Sequence, residues 1–488
     1  MTLPRSDSAA PAPVGRPGAP TAAVPPVASD QVFQVETHGI DPIPDAERHG
    51  SAKDVFWLWF GSNLTFTFVL NGTLAVMFGL SFWVATAVVV LTGLSFFVIS
   101  ALGLGGVRTG TATLVISRAT FGVLGNFPAG VLNWIVGIGY TILNTVVGSI
   151  ALQQLFGKLG MAQNDFGKIV ALAITLTLTF AVAMWGHATV QAAERWMAYI
   201  LGAGFGLLIV FVVPGVETAS TPDQGNSFHA ISLAVLVMIA GPISYMPMPS
   251  DYTRYLPKDT SLRSITLWGA AGGMLSSVAL GILGVAAATQ ADMTDAVAGV
   301  ADLVPGWFEG LFLLLVVGGS ITNSILTLYS SSLNLQVLGI PWSRSKGILV
   351  STACILAGSL WALFNGDFNE NLTSFLSVLV VVFAPWGGVF VADTLMRRCR
   401  YDADALHDLR GGAYWYTRGF HPAGMIALVA GIVFASLSAE SALWTGPLVE
   451  PFDGDFTVLG AVVSGLLYWL LARREPQFTR HPNTLSGV

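Results

Sequence analysis

The chain has 488 residues, 53 % hydrophobic and only 10 % charged, with a formal net charge of −6. Soluble domains carry about 25 % charged residues, so this composition excludes a soluble globular protein and describes an all-α polytopic membrane protein. The two cysteines, Cys354 in an apolar segment and Cys399 beside an arginine cluster, suggest neither a disulfide framework nor a metal site.

Residues 1–50 are rich in Pro, Ala, Ser and charge and lack the apolar core of a signal peptide, so they are expected to form a disordered tail. Twelve apolar segments follow, at 55–79, 82–103, 128–152, 167–185, 197–215, 229–249, 265–289, 308–330, 347–365, 372–395, 422–439 and 456–472. A bilayer is crossed by about 20 residues of helix, and the connecting loops leave no room for an extramembrane domain.

The first segment is wrong for a simple anchor. Gly61-Ser62-Asn63, Thr65, Thr67 and Asn71-Gly72-Thr73 interrupt its apolar run, where lipid offers no hydrogen-bond partners. Such polarity is tolerated only facing protein or a wet cavity. Two readings follow: a broken helix at a transport site, or small residues that let neighbouring helices pack closely.

Between segments two and three, the glycine-rich run from Gly103 to Gly130 fails as a nucleotide loop, because no soluble strand precedes it and no GK[ST] occurs in the chain. In the third segment Tyr140 and Asn144 are four residues apart and share a helix face. An aromatic ring beside a carboxamide suits the face and edge of a flat heterocycle; interhelical hydrogen bonding accounts for Asn144 equally well. The sixth segment ends in GPISYMPMPSDYTRY, whose three prolines break the helix ladder. This second interruption falls five segments after the first, so a five-span repeat would be inverted in the membrane. The eighth segment carries Ser320, Thr322, Asn323 and Thr327, many polar groups for one helix at lipid depth.

With the N-terminus cytoplasmic, 20 of the 22 Lys and Arg residues fall on the inner side, leaving Lys158 and Lys168 outside. That asymmetry predicts cytoplasmic termini and cytoplasmic 104–127 and 396–421 loops. No acidic or basic residue falls near the middle of a predicted segment. Asp54, Asp251 and Asp393 lie at the inner ends. Because a proton relay normally needs an intramembrane carboxylate, sodium is the expected coupling ion, with Asp251 and Asp393 as the proton alternatives.

Several stretches together resemble, in order from about residue 40 to 475, the purine/cytosine permeases of the nucleobase:cation symporter family. They are WFGSNLTFTFVLNGTL, RTGTATLVISRATFG, GYTILNTVVGS, DYTRYLP, LYSSSLNLQVLG and GGAYWYTRGFHPAG. The resemblance implies a leucine-transporter-type five-plus-five inverted repeat plus two helices: repeats at 51–225 and 226–400, added helices at 401–475 and a cytoplasmic tail at 476–488.

By that resemblance, the substrate site uses Asn63, Tyr140, Asn144, Tyr245, Asn323 and Thr327; an asparagine is expected where Thr327 stands. The cation site uses the chain at Thr65, Phe66 and Thr67 with the hydroxyls of Ser320 and Thr322. The implied activity is cation-coupled import of a nucleobase such as cytosine or a purine across the plasma membrane. The partners are that substrate, Na+ or H+ and the bilayer. No nucleic acid, no cofactor beyond the coupling ion and no bond chemistry are expected. Allantoin, hydantoin or an amino acid is the rival substrate; a channel or a membrane-embedded enzyme is a rival class.

Overall fold

The protein is described here by a computed structural model covering residues 32–33 and 39–479, apart from 162, 220–225, 341, 366–367 and 442. Among the described residues every regular element is a helix. Nine of these are long and apolar enough to cross a membrane, and shorter apolar helices at Phe66–Met77, Pro422–Ser438 and Thr457–Ala472 fall on the remaining predicted segments.

The first span is broken as its sequence suggested. Helix Ala52–Ser62 ends at Asn63, and a new helix, Phe66–Met77, starts after Thr65, which is extended (φ −118°, ψ 144°). The break leaves helix-end carbonyls without intrahelical partners, and side chains from elsewhere must answer them. The sixth span breaks in the same way, into Phe228–Ser244 and Pro249–Thr253, with Pro242 inside its first part. The third and eighth spans, Phe127–Lys158 and Gly306–Val337, are unbroken 32-residue helices lying side by side.

The seventh span, Leu262–Ala288, clasps the broken first span at backbone distance. A Cβ on Gly72 would collide with the Gly281 carbonyl, and one on Gly284 with the Val69 carbonyl. Small residues at such crossings let helices approach where lipid supplies no hydrophobic drive. The eleventh and twelfth spans pack on the tenth, Phe368–Arg397, and on each other.

The predicted inner loops gather at one end of the bundle. The 104–127 stretch is not a free loop: span two runs on to Thr109, turns at Gly110 (φ 72°) and continues into short helices Thr113–Ile116 and Arg118–Phe121. It packs on the 396–421 stretch through Arg118 to the Leu406 carbonyl (2.9 Å) and the His421 amide to the Phe121 carbonyl (2.9 Å). Lys158 lies at the opposite end, paired with Glu309.

Two expectations need correction. Residues 39–50 are not a disordered tail: Ile43 is buried, Arg48 donates to the Val107 carbonyl (2.6 Å), and Arg254 donates to the Gly39 carbonyl (2.7 Å). Residues 1–31, 34–38 and 480–488, where the remaining tail expectations fall, lie outside the described residues. The fifth span starts at His187, directly after the Gly186 turn (φ 113°), and not at 197. Glu194 is therefore inside the span, and the expectation that spans carry no interior carboxylate does not hold.

Candidate functional site

The two breaks and the two long helices meet at a chain of amides. The hydroxyls of Thr65 and Thr67 both donate to Asn144 Oδ1 at 3.0 Å. Asn144 donates to the Tyr140 carbonyl (2.9 Å) and to Asn323 Oδ1 (2.9 Å). Asn323 in turn donates to the Ser62 carbonyl (2.8 Å) and to Tyr245 Oη (2.8 Å). Spans one, three, eight and six are thus joined in one hydrogen-bonded line, and an end carbonyl of the first half-helix finds its donor in Asn323. Both asparagines are almost wholly buried. A fully paired network in such a setting is rigid, and each member is costly to remove.

Beside this line lies a small cavity bounded by Asn133, Gly137, Tyr140, Ser244, Tyr245, Met248, Asn323, Thr327 and Ser331, among others. In this conformation it is closed down to about the space of one water. Of the residues expected at the substrate site, Tyr140, Tyr245, Asn323 and Thr327 line it. Tyr140 meets Phe375 edge-on (centroids 5.2 Å), and its hydroxyl has no partner among the described residues. Tyr245 packs on Trp59 (5.1 Å). Thr327 donates to the carbonyl of Asn323 (2.9 Å), so its hydroxyl is engaged within its own helix. Asn144 stands behind Asn323. Asn63 does not line the cavity: its amide turns back to the Trp59 carbonyl (2.7 Å) and caps the first half-helix.

Most hydroxyls expected at the cation site donate within the protein. Thr65 and Thr67 spend their hydroxyl protons on Asn144, and Phe66 opens the second half-helix with a buried ring. Thr322 donates to the Gly318 carbonyl (2.6 Å). Ser320 faces spans three and four, where a Cβ on Gly148 would lie 3.1 Å from its own Cβ. Its hydroxyl has no partner among the described residues, and the preceding Gly319 lies against the break, where a Cβ would collide with the Leu64 carbonyl.

Asp251 and Asp393 are tied up structurally. Asp251 accepts from the Thr113 amide (2.9 Å) and Ser330 (2.6 Å). Asp393 accepts from Thr120 (2.9 Å), Tyr468 (2.5 Å) and Arg397 (2.9 Å). The sequence assigned no role to Asn133, though Asn133, Gly137 and Tyr140 recur at helical spacing. It gave no role to Ser244, Met248, Ser331 or Glu194.

Comparison with known proteins agrees with this architecture. The putative purine-cytosine permease YxlA of Bacillus subtilis (strain 168) is 25 % identical over 458 residues, covering 90 % of this chain and 96 % of that protein. The purine-cytosine permease FCY2 of Saccharomyces cerevisiae is 24 % identical over 480 residues, covering 91 % and 87 %. Among solved structures, the nucleobase-cation-symport-1 family transporter MHP1, closed with bromovinylhydantoin bound, superposes with a TM-score of 0.72 at 17 % identity, covering 91 % of this chain and 98 % of that one. The two broken spans, five apart, and the paired long helices are therefore the leucine-transporter-type inverted repeat with two added helices. The profile of permeases for cytosine/purines, uracil, thiamine and allantoin matches residues 42–454, and the chain belongs to that family.

Proposed function

We propose that this protein is a cation-coupled symporter that imports a nucleobase or a closely related flat heterocycle across the plasma membrane, with both termini in the cytoplasm. The observation that carries the reading is the Thr65/Thr67–Asn144–Asn323–Tyr245 line at the break of span one. Asn144 and Asn323 are carboxamides able to turn from each other to the edge of a base, one donating and one accepting. Tyr140 and Tyr245 supply aromatic surface for its face. Entry of a base requires the two breaks to separate, because the closed cavity holds about one water. The relatives' names favour purines and cytosine, and the bound hydantoin of the solved neighbour is itself a flat ring with an amide edge.

Equilibrium binding of cytosine, adenine, uracil, allantoin and hydantoin to the purified protein tests the substrate class. One of the flat bases is expected to bind at least tenfold tighter than allantoin, whose ureido arm lies outside any ring plane. A strict allantoin preference would move the assignment to the rival substrate. Flux that rises linearly without saturation would reject a carrier altogether.

For the coupling ion, sodium held by the chain at Thr65 to Thr67 and by Thr322 predicts that sodium raises substrate affinity at fixed pH. That reading rests on the hydroxyls and broken-helix carbonyls of the core and on the expected absence of a carboxylate inside the spans; Glu194 removes the second premise and leaves the first. The orientation is tested separately. With Cys354 and Cys399 replaced by serine, Ala10→Cys and Arg410→Cys should both resist an impermeant thiol reagent in intact cells. Ready labelling of either would invert the topology.

A further inference from the structure

Glu194 lies in span five, eight residues into helix His187–Val212, and is fully buried. Neither carboxylate oxygen meets a donor among the described residues. Buried Asp251 and Asp393, by contrast, each take several hydrogen bonds. A bare carboxylate in such a setting is strongly disfavoured; it must carry a proton or hold a cation.

Its position is informative. Glu194 packs against Gly61 so closely that a Cβ there would come within 2.9 Å of Oε2. The next residue, Ser62, gives its carbonyl to Asn323. Consecutive residues of the first half-helix therefore touch the orphan carboxyl on one side and the substrate-site amide on the other. One residue along span five, Arg195 pairs with Asp54 of span one at the inner end.

The other titratable groups around this helix are few. Span six presents the phenols of Tyr245 and Tyr252, both packed on Trp59 of span one (5.1 and 6.4 Å). On its own helix are His187, stacked on Tyr255 at 3.8 Å, and Arg195; His49 lies 6.4 Å from the His187 ring. Span one adds Lys53 and Asp54 at its inner start. Spans four, seven and eight carry charge only near their ends, at Asp165, Lys168, Arg263 and Glu309, and span eight adds Tyr329, tilted against Tyr252 (5.6 Å).

We infer that Glu194 is the coupling-proton site: its carboxyl is neutral while the first half-helix is packed on span five, and it ionises when that packing opens to the cytoplasm. The inference rests on the symporter reading above. On opening, the carboxyl O–H breaks, the proton passes to cytoplasmic water, and the carboxylate left behind is hydrated. Closure requires a proton to return. A base needs the two breaks apart but can leave Asn323 on the Ser62 carbonyl, and by fixing that contact it holds the first half-helix against span five; proton and substrate then favour the same packing, and each raises the affinity for the other.

The test uses full-length protein in detergent and in proteoliposomes, with radiolabelled cytosine as probe. Wild-type affinity is expected to fall by up to about tenfold per pH unit once the free form has lost its proton. Glu194→Gln should bind with pH-independent affinity and exchange cytosine across the membrane, yet fail to accumulate it under an inward proton gradient. Accumulation by Glu194→Gln equal to wild type would overturn the site. So would sodium stimulation at fixed pH that survives the substitution.

A substrate-free arm keeps the two readings apart. pH-difference infrared spectra of the wild type should show the C=O band of a protonated carboxyl that Glu194→Gln lacks, and an unchanged spectrum overturns the proposal. That band present while no base binds either protein would reject the nucleobase reading and leave the proton site standing. If Glu194→Gln does not fold, Glu194→Asp should retain the band and the pH dependence with a shifted midpoint; loss of both overturns the site.

Discussion

Asn323→Ala and Asn144→Ala should each abolish most substrate uptake while leaving the protein at the cell surface. Asn323 donates to the Ser62 carbonyl and to Tyr245, and accepts from Asn144. Truncating it strands three buried polar groups at the point where span one is broken. Each costs about 1–3 kcal/mol when left unpaired, which is roughly 5- to 150-fold in affinity. Asn144→Ala frees Thr65 and Thr67 from the same line. Because both side chains belong to one network, the double variant should be little worse than either single one. Tyr140→Phe should be mild, since the hydroxyl has no partner to lose, whereas Tyr140→Ala removes the ring that meets Phe375 and should be severe. Equilibrium binding and uptake, normalised to surface expression, read all of these. Near-normal affinity in both asparagine variants would dismantle the site.

What the residues disclosed beforehand has a physical pattern. Breaks were legible because Gly, Asn, Thr and Pro at lipid depth have no tolerable alternative, so the two irregular spans and the shared face of Tyr140 and Asn144 were readable from spacing. Glu194 was hidden by the same logic: a hydropathy window ends a span at a charge, and so placed the start of span five at 197 when the helix begins at His187. Only packing reveals that the first half-helix covers that carboxylate. Residues 39–50 were missed because composition reads Pro and charge as tail, while one buried isoleucine and carbonyl-seeking arginines hold the segment down. The cavity residues Ser244, Met248 and Ser331 carried no mark in the sequence; they meet only because the broken sixth span lies against the unbroken eighth.

Asp393 should behave as the opposite kind of buried carboxylate from Glu194. It accepts from Thr120 in the short helix Arg118–Phe121, from Tyr468 in span twelve and from Arg397 of its own span. Arg397 also donates to the Ala119 carbonyl and to Tyr416, each at 3.0 Å. One ion pair therefore ties the tenth and twelfth spans to both the 104–127 and the 396–421 connections. Asp393→Ala leaves the Arg397 guanidinium buried without its counter-ion, and stranding one member of such a pair costs about 3–5 kcal/mol. The expected result is a marked drop in the amount of folded protein and in its apparent melting temperature in detergent. Asp393→Ala combined with Arg397→Leu should recover part of that loss, because no bare charge remains, although the bonds to Ala119 and Tyr416 are gone. Glu194→Gln, which strands nothing, should melt no lower than wild type. A single Asp393→Ala variant as stable as wild type would show that the pair contributes no net stability. A double variant no better than the single would show that the bonds made by Arg397 matter more than its charge.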